Sequence, residues 1–216
     1  MAVTTQDIAK LREQTGAGML DCKKALDEAN GNLDAAVDIL RKKGIAKAAK
    51  RADKIAAEGT VASYIHGAGK IGVLVEVNCE TDFVAKNEGF TNLVMDIARH
   101  IAASSPLYVS REEVPEEVLE REKSVYREQL RAEGKPADML EKIMEGKLNK
   151  FYAEICLLEQ AYIKDEDQTI QQLLTQKTSE IGEKLSVRRF ARFVLGEGIE
   201  KKSVDFVAEV QEQLGA

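Results

Sequence analysis

Apolar residues recur along this chain with two different periods, and the change of period divides it. Ile8 and Leu11 begin a helical stripe, and Thr4 with Asp7 three positions later forms a capping arrangement ahead of it. "TGAG" at 15–18 breaks that helix. Cys22, Ala25, Leu26 and Ala29 then fall at i, i+3, i+4 and i+7, which predicts a second helix ended by Gly31. Asn32 is a good cap for a third, striped by Leu33, Ala36, Val37 and Leu40 and closed by Gly44. The alanine-rich stretch 45–57 reads as a helical linker, because most of its apolar residues are too small to anchor a core.

From Thr60 the period drops to two. "TVASYIHGAGKIGVLVEVN" predicts a hairpin with Gly67 and Gly69 in its turn, and Ile71, Val73, Val75 and Val77 share one face of its second strand. Phe90, Leu93, Val94, Ile97, Ala98 and Ile101 fit helical spacing without a miss, so a helix should cover that face. "PLYVS" (106–110) reads as a short strand. Ser110 with Glu113 spells a capping box, and Pro115 opens a charged helix to about Glu133, punctuated by Gly134 and Pro136. Helical stretches at 137–145 and 147–158 follow. A second round then appears: strand "AYIKD", a helix "TIQQLLTQKTSEIG" capped by Thr169 with Gln172, and a closing strand "SVRRFARFVLGEG". Ser203 opens a last amphipathic helix. The fold class is α+β. A three-helix module with the start of the linker (1–54) precedes a core of two similar halves (55–140 and 141–198), and a terminal helix (199–216) ends the chain.

Composition narrows the class without changing this picture. At 216 residues, one or two domains can bury roughly 70% of the unfolded surface. The mix of 44% hydrophobic and 31% charged residues is that of a globular protein with many exposed helices. No basic start leads into an apolar run, and no run of about 18 apolar residues occurs, so the expectation is a cytoplasmic protein without a membrane span. Cys22, Cys79 and Cys156 stand far apart in apolar contexts and read as buried thiols. With only His66 and His100 beside them, they offer no zinc site, and no metal or other cofactor is expected. Residues 1–54 hold 11 Lys/Arg against 8 Asp/Glu, whereas the rest holds 20 against 29. Much of the excess lies in "RKKGIAKAAKRADK" (41–54), where alanines interleave the lysines and no aromatic is present to stack on bases. A solvated helix face explains that run better than nucleic acid does.

The stretch richest in candidate chemistry is "NCETDFVAKNEGF" (78–90), at the exit of the predicted second strand. Glu80 and Asp82 bracket a threonine, and Phe83 follows. Four readings are open: a carboxylate site, a metal cluster, a helix cap by Asp82 with Phe83 packed beneath it, or a short Asp-Phe presented to another protein. For hydrolysis no partner acid, histidine or glycine-rich cradle is evident. For magnesium, two carboxylates do not suffice without phosphates to share the ion. An exposed phenyl ring would imply a receiver.

Four segments, "LREQTGAGMLDCKKAL" (11–26), "NLDAAVDILRKKG" (32–44), "NCETDFVAKNEGF" and "GEGIEKK" (196–202), resemble the signature segments of the elongation factor Ts family, in the same order along essentially the whole chain. The resemblance implies a ubiquitin-associated-like N-terminal module, a core of two related subdomains and a C-terminal helical module. It also implies a role: exchange of guanine nucleotide on the translational GTPase elongation factor Tu, without catalysis and without binding nucleotide or metal itself. By the same resemblance Thr81, Asp82, Phe83 and Val84 are the motif that disturbs the GTPase's magnesium site, with Phe83 as a wedge between its helices. Leu11, Arg12, Gly16, Gly18 and Met19 would dock on the GTPase domain, although Met19 reads equally as a core filler. Some members carry a long coiled-coil insertion in the second half of the core that supports a dimer; the path from Gln168 to Gly198 leaves no room for one.

Overall fold

The computed structural model describes residues 3–133 and 137–199, so the helix expected from Ser203 lies outside the described residues. Helices α1 (Thr5–Thr15), α2 (Met19–Glu28) and α3 (Leu33–Ala49) form the first unit. Thr4 accepts from the Asp7 N–H at 3.2 Å and Asp7 accepts from the Thr4 N–H at 3.0 Å, which is the reciprocal box its spacing predicts. The chain turns after α2 through Asn30 (φ 53°) and Gly31 (φ 83°), and the Gly31 N–H returns to the Leu26 carbonyl at 2.8 Å. Ile8, Leu11, Cys22, Ala25, Leu26 and Ala36 are the buried core of this unit.

Helix α3 does not close at Gly44 but runs on to Ala49. A Cβ built on Gly44 would sit 3.4 Å from the Ser179 hydroxyl oxygen of α8 (Ile170–Ile181). That glycine is a notch for helix crossing rather than a stop, and the alanines after it sustain the helix. The expected linker helix therefore ends early, and residues 50–54 turn towards the sheet.

Strands β1 (Glu58–His66) and β2 (Ile71–Cys79) form the predicted hairpin. Its turn passes through Gly67 (φ 60°) and Gly69 (φ 87°), left-handed conformations that glycine adopts without penalty, and through Ala68 (φ 54°), which carries the steric cost of a Cβ there. Val73, Val75 and Val77 are buried. After a single turn, α4 (Asp82–Ala85), helix α5 (Glu88–Ser104) covers that face with Phe90, Leu93, Val94, Ile97, Ala98 and Ile101, all buried as their spacing predicts. The opposite face of the sheet leaves Val61, Ile65, Leu74 and Phe193 exposed.

The second half of the chain differs more from expectation. Ser110 makes no side-chain cap; a 3-10 turn at Arg111–Glu113 instead lets Glu113 accept from the Val109 N–H at 2.8 Å. "PLYVS" contributes a single bridge, Tyr108 to Cys156, rather than a strand. Helix α6 (Glu116–Ala132) pairs with α7 (Ala137–Ile155), which passes unbroken through Gly146 at a cost of about 1 kcal/mol. "AYIKD" splits into β3 (Ala161–Tyr162) and the start of β4 (Asp165–Thr169), a small hairpin of its own. Thr169 and Gln172 box the start of α8 as predicted, and Gly182 (φ 85°) ends it. Strand β5 (Ser186–Val194) then returns to the first hairpin, giving the antiparallel order β1-β2-β5. The two halves thus share the larger sheet, with α5 and α8 contributing to one core beneath it.

Within that core His100 is fully buried. One ring nitrogen, Nε2, lies 3.0 Å from Gln160 Oε1, and the other, Nδ1, accepts from the Ile163 N–H at 3.4 Å. Gln160 spends its amide protons on the Ser104 and Glu154 carbonyls, so its oxygen accepts and the ring is neutral with the proton on Nε2. Burial holds the imidazole below its usual pKa, against the bond to Gln160. The unfolded chain therefore takes up a proton that the folded chain resists. The stabilisation is complete above about pH 6.5 and is lost as pH falls towards the depressed folded value. Melting temperatures measured from pH 7.5 to 5.5 should decline, and H100Q should flatten that decline; an unchanged slope in H100Q would place the effect elsewhere.

Candidate functional site at the end of strand β2

Strand β2 leaves the sheet at Cys79, level with the start of β1 and one residue beyond its last pair with β5. Its ladder to β1 ends at Cys79 opposite Glu58, and its ladder to β5 ends at Asn78 opposite Ser186. The next residues build a short helical turn. Thr81 is extended (φ −128°, ψ 154°) and caps α4, its hydroxyl accepting from the Val84 N–H at 3.4 Å. The cap is thus Thr81 rather than Asp82.

One turn of helix sends its side chains two ways. Ala85 is buried and Val84 packs against the main core. Asp82 and Phe83 face outwards, and the Phe83 ring is 82% exposed, so it does not pack beneath the turn. Asp82 pairs with Lys86 one turn later at 2.7 Å, a bond that lowers its carboxyl pKa. Glu80 faces elsewhere: its carboxylate accepts from Arg51 Nη1 at 2.9 and 3.2 Å and from the Lys184 N–H at 2.7 Å. The two acids therefore serve different cations and do not form an acid–base couple. Cys79 donates its thiol to the Thr81 carbonyl at 3.1 Å, and burial raises its pKa, which keeps it a thiol. Among the described residues, no group of three or more His, Cys, Asp and Glu side chains is arranged to hold a metal ion.

Sequence reasoning missed the residue that meets the motif most closely. Glu183, in the loop from α8 to β5, accepts from the N–H groups of Glu80 (3.1 Å) and Thr81 (3.0 Å) and from the Thr81 hydroxyl (2.7 Å). Its neighbour Lys184 also donates its ammonium to the Ala52 carbonyl at 2.6 Å. In sequence the signal is slight: an acid directly after a helix-ending glycine.

The second set of expected residues sits on the three-helix unit, and no hydrogen bond or ion pair among the described residues joins it to Thr81–Val84. Leu11 is fully buried in the core of that unit and offers no surface. Gly16 ends α1 at φ 67°, a left-handed conformation that favours glycine, and a Cβ there would press on the Glu180 carboxylate at 2.7 Å, so its identity is explained within the fold. Gly18 precedes α2 as its cap, and Arg12 is exposed. Met19 is 47% exposed and no core filler; Leu20 beside it, which the helical stripe leaves on the outer side, is 65% exposed. The basic run is partly consumed within the protein, since Lys43 binds Glu28, Lys47 binds Asp21 and Arg51 binds Glu80. No helix among the described residues is long and apolar enough to cross a membrane.

The family model described as Elongation factor TS matches residues 5–197. The chain is 63% identical over 215 residues to Elongation factor Ts of Geobacter sulfurreducens, covering 100% of both chains. It is 61% identical to that of Geotalea daltonii over 216 residues, again covering 100% of both. It is 59% identical to that of Acetivibrio thermocellus over 212 residues, covering 98% of this chain and 99% of that one.

Two phenylalanines seven positions apart should separate surface from core. Phe83→Ala removes an exposed ring and should change folding stability by no more than about 0.5 kcal/mol. Phe90→Ala empties a fully buried site and should cost about 3–5 kcal/mol. Urea or thermal melts of both variants check this, and a large loss in F83A would mean that the ring packs within the fold.

Proposed function

Because the chain belongs to the elongation factor Ts family, we propose that it is a guanine nucleotide exchange factor of translation elongation, acting in the cytoplasm on GDP-bound elongation factor Tu. The observation that carries the reading is the exposed Phe83 ring on a turn whose backbone is tied down. Burying such a ring is worth about 1.5–3 kcal/mol, and this fold leaves most of that unused. A partner with an apolar crevice can collect it.

Insertion of the ring between helices of the GTPase domain would shift the segment beside its nucleotide. Magnesium requires near-octahedral coordination and bridges the protein to the phosphates, so a small displacement of its surroundings weakens both ion and GDP. Phe83 is the wedge, while Thr81 caps the turn and Val84 seats it on the core. Asp82, held by Lys86, flanks the ring as a polar contact rather than a metal ligand. The factor performs no bond-making chemistry and needs no cofactor. Arg12 and Met19, with Leu20 beside them, form a second docking patch on residues 1–54, which we take as a separate unit with its own core. The alternative of a nucleic-acid partner for residues 41–54 is weakened by the three cations already paired within the protein.

Exchange by this route obliges the factor and GDP to oppose each other. Whatever factor separates GDP affinity with and without this protein must separate this protein's affinity with and without GDP. A coupling of about 3 kcal/mol corresponds to roughly 150-fold in each direction. Isothermal titration into nucleotide-free and GDP-saturated elongation factor Tu should show that gap, and chelating magnesium should narrow it. F83A should lose most of its acceleration of GDP release. Equal affinities for the two forms of the GTPase would overturn the reading.

A further inference from the structure

We infer that Glu183 is the positioning residue of the wedge: its carboxylate fixes the backbone of Glu80 and Thr81 and so presents Phe83 in one pose before any partner arrives. The inference rests on the wedge reading of Phe83 and adds a residue that none of the family's signature segments contains.

The need for such a residue follows from the end of the sheet. Past Cys79, β2 has no neighbour on either edge, so the N–H groups of Glu80 and Thr81 have no ladder carbonyl to bind. Glu183 accepts both with one oxygen, Oε2, and takes the Thr81 hydroxyl proton with the other, Oε1. With its proton so committed, the hydroxyl offers its lone pairs to the Val84 N–H and thereby sets the first turn of α4. Glu183 thus reaches the ring through Thr81, without touching it.

The platform beneath Glu183 is itself fixed. Gly182 closes α8 through its N–H to the Thr178 carbonyl at 2.9 Å, and the Thr178 hydroxyl accepts from the N–H of buried Leu185 at 3.2 Å. The contact is also reciprocal. The 183–184 loop has its own N–H without a ladder partner, at Lys184, and the Glu80 carboxylate accepts it at 2.7 Å. Two loops 102 residues apart in sequence satisfy each other's amides with their carboxylates. Arg51, two residues beyond α3, adds its guanidinium to Glu80 and brings the end of the N-terminal unit to the same point.

A positioning role predicts which kinetic quantity changes. If E183A leaves the turn in the presenting pose only about a tenth of the time, the factor's apparent affinity falls about tenfold while the bound complex still opens the nucleotide site normally. GDP release from elongation factor Tu, timed over a range of factor concentrations, should therefore show a half-saturating concentration about tenfold higher and an unchanged plateau rate. F83A, by contrast, should lower the plateau. Amide hydrogen exchange followed by NMR supplies an independent readout: the Glu80 and Thr81 amides of E183A should exchange at least tenfold faster, with the Val75 amide of the sheet core unaltered. E183Q keeps an oxygen for the two amides, but its NH2 can only donate to the Thr81 hydroxyl and no longer accepts its proton, so its half-saturating concentration should fall between those of the parent and E183A. If E183A proves too unstable to assay, T81V removes the hydroxyl, and with it both the Oε1 bond and the cap on Val84 while the Oε2 bonds to the two amides remain, and should raise the half-saturating concentration in the same direction. Parental half-saturation in E183A or T81V, or faster exchange at Val75 alongside Glu80 and Thr81, would overturn the inference and leave Glu183 a purely structural acid. A parental plateau in F83A would remove the wedge reading, and this inference with it.

Discussion

Strand β2 hydrogen-bonds to β1 on one edge and to β5 on the other, and its buried face of Val73, Val75 and Val77 lies against α5. Because side chains alternate along a strand, a slip of one residue would turn all three valines to solvent and Leu74 and Glu76 into the core. Register is therefore strongly specified, and with it the point at which the strand leaves the sheet. Thr81 emerges where it does because Val77 must be inside. The start of α5 is held in the same way by buried Phe90, so the turn carrying Phe83 is pinned at both ends by side chains with no other role.

Pinning by the core still leaves the intervening backbone polar groups to be satisfied, and here charge does what packing cannot. A buried or half-buried N–H without a partner costs about 1–3 kcal/mol, and hydrogen bonds to an ionised acceptor are among the stronger ones. Glu183 removes two such liabilities at once. The same physics explains why Phe83 stays outside. With Val84 and Ala85 filling the core side of a single turn, the ring has no inward direction left.

Signals that act within four residues were legible in the sequence. The Thr4–Asp7 and Thr169–Gln172 boxes and the Asn32 cap form as their spacing predicts. Ser110–Glu113 has the same spelling, yet Glu113 turns to the Val109 N–H, because the segment tightens into a 3-10 turn that buries Val114. Gly44 and Gly146 look alike as helix breakers, but one is a crossing notch and the other merely a tolerated cost, a distinction made by Ser179 and by empty space respectively. The alternation in β5 announces a strand without naming its partner, since edge pairing depends on backbone geometry that any sequence can supply. Glu183 was invisible for the same reason. Nothing within its own loop records that two amides 102 residues earlier lack acceptors.

Arg51 shows how the N-terminal unit and the motif are connected. Its pair with Glu80 is partly exposed, at 41% and 16% of the two side chains, so solvent screening keeps its contribution to stability small. Its effect is geometric instead. The Glu80 carboxylate already holds the Lys184 N–H, and the guanidinium restrains the other side of the same group. Motion of the segment after α3 is then felt at the base of the wedge through one side chain. The α3–α8 crossing at Gly44 and Ser179 and the Lys184 bond to Ala52 restrain that motion from two further directions. Met19 and Leu20 on one unit and Phe83 on the other thus sit on surfaces joined by several weak contacts. A partner engaging both would pay little to order them, which is how modest contacts at two separated points can add in affinity.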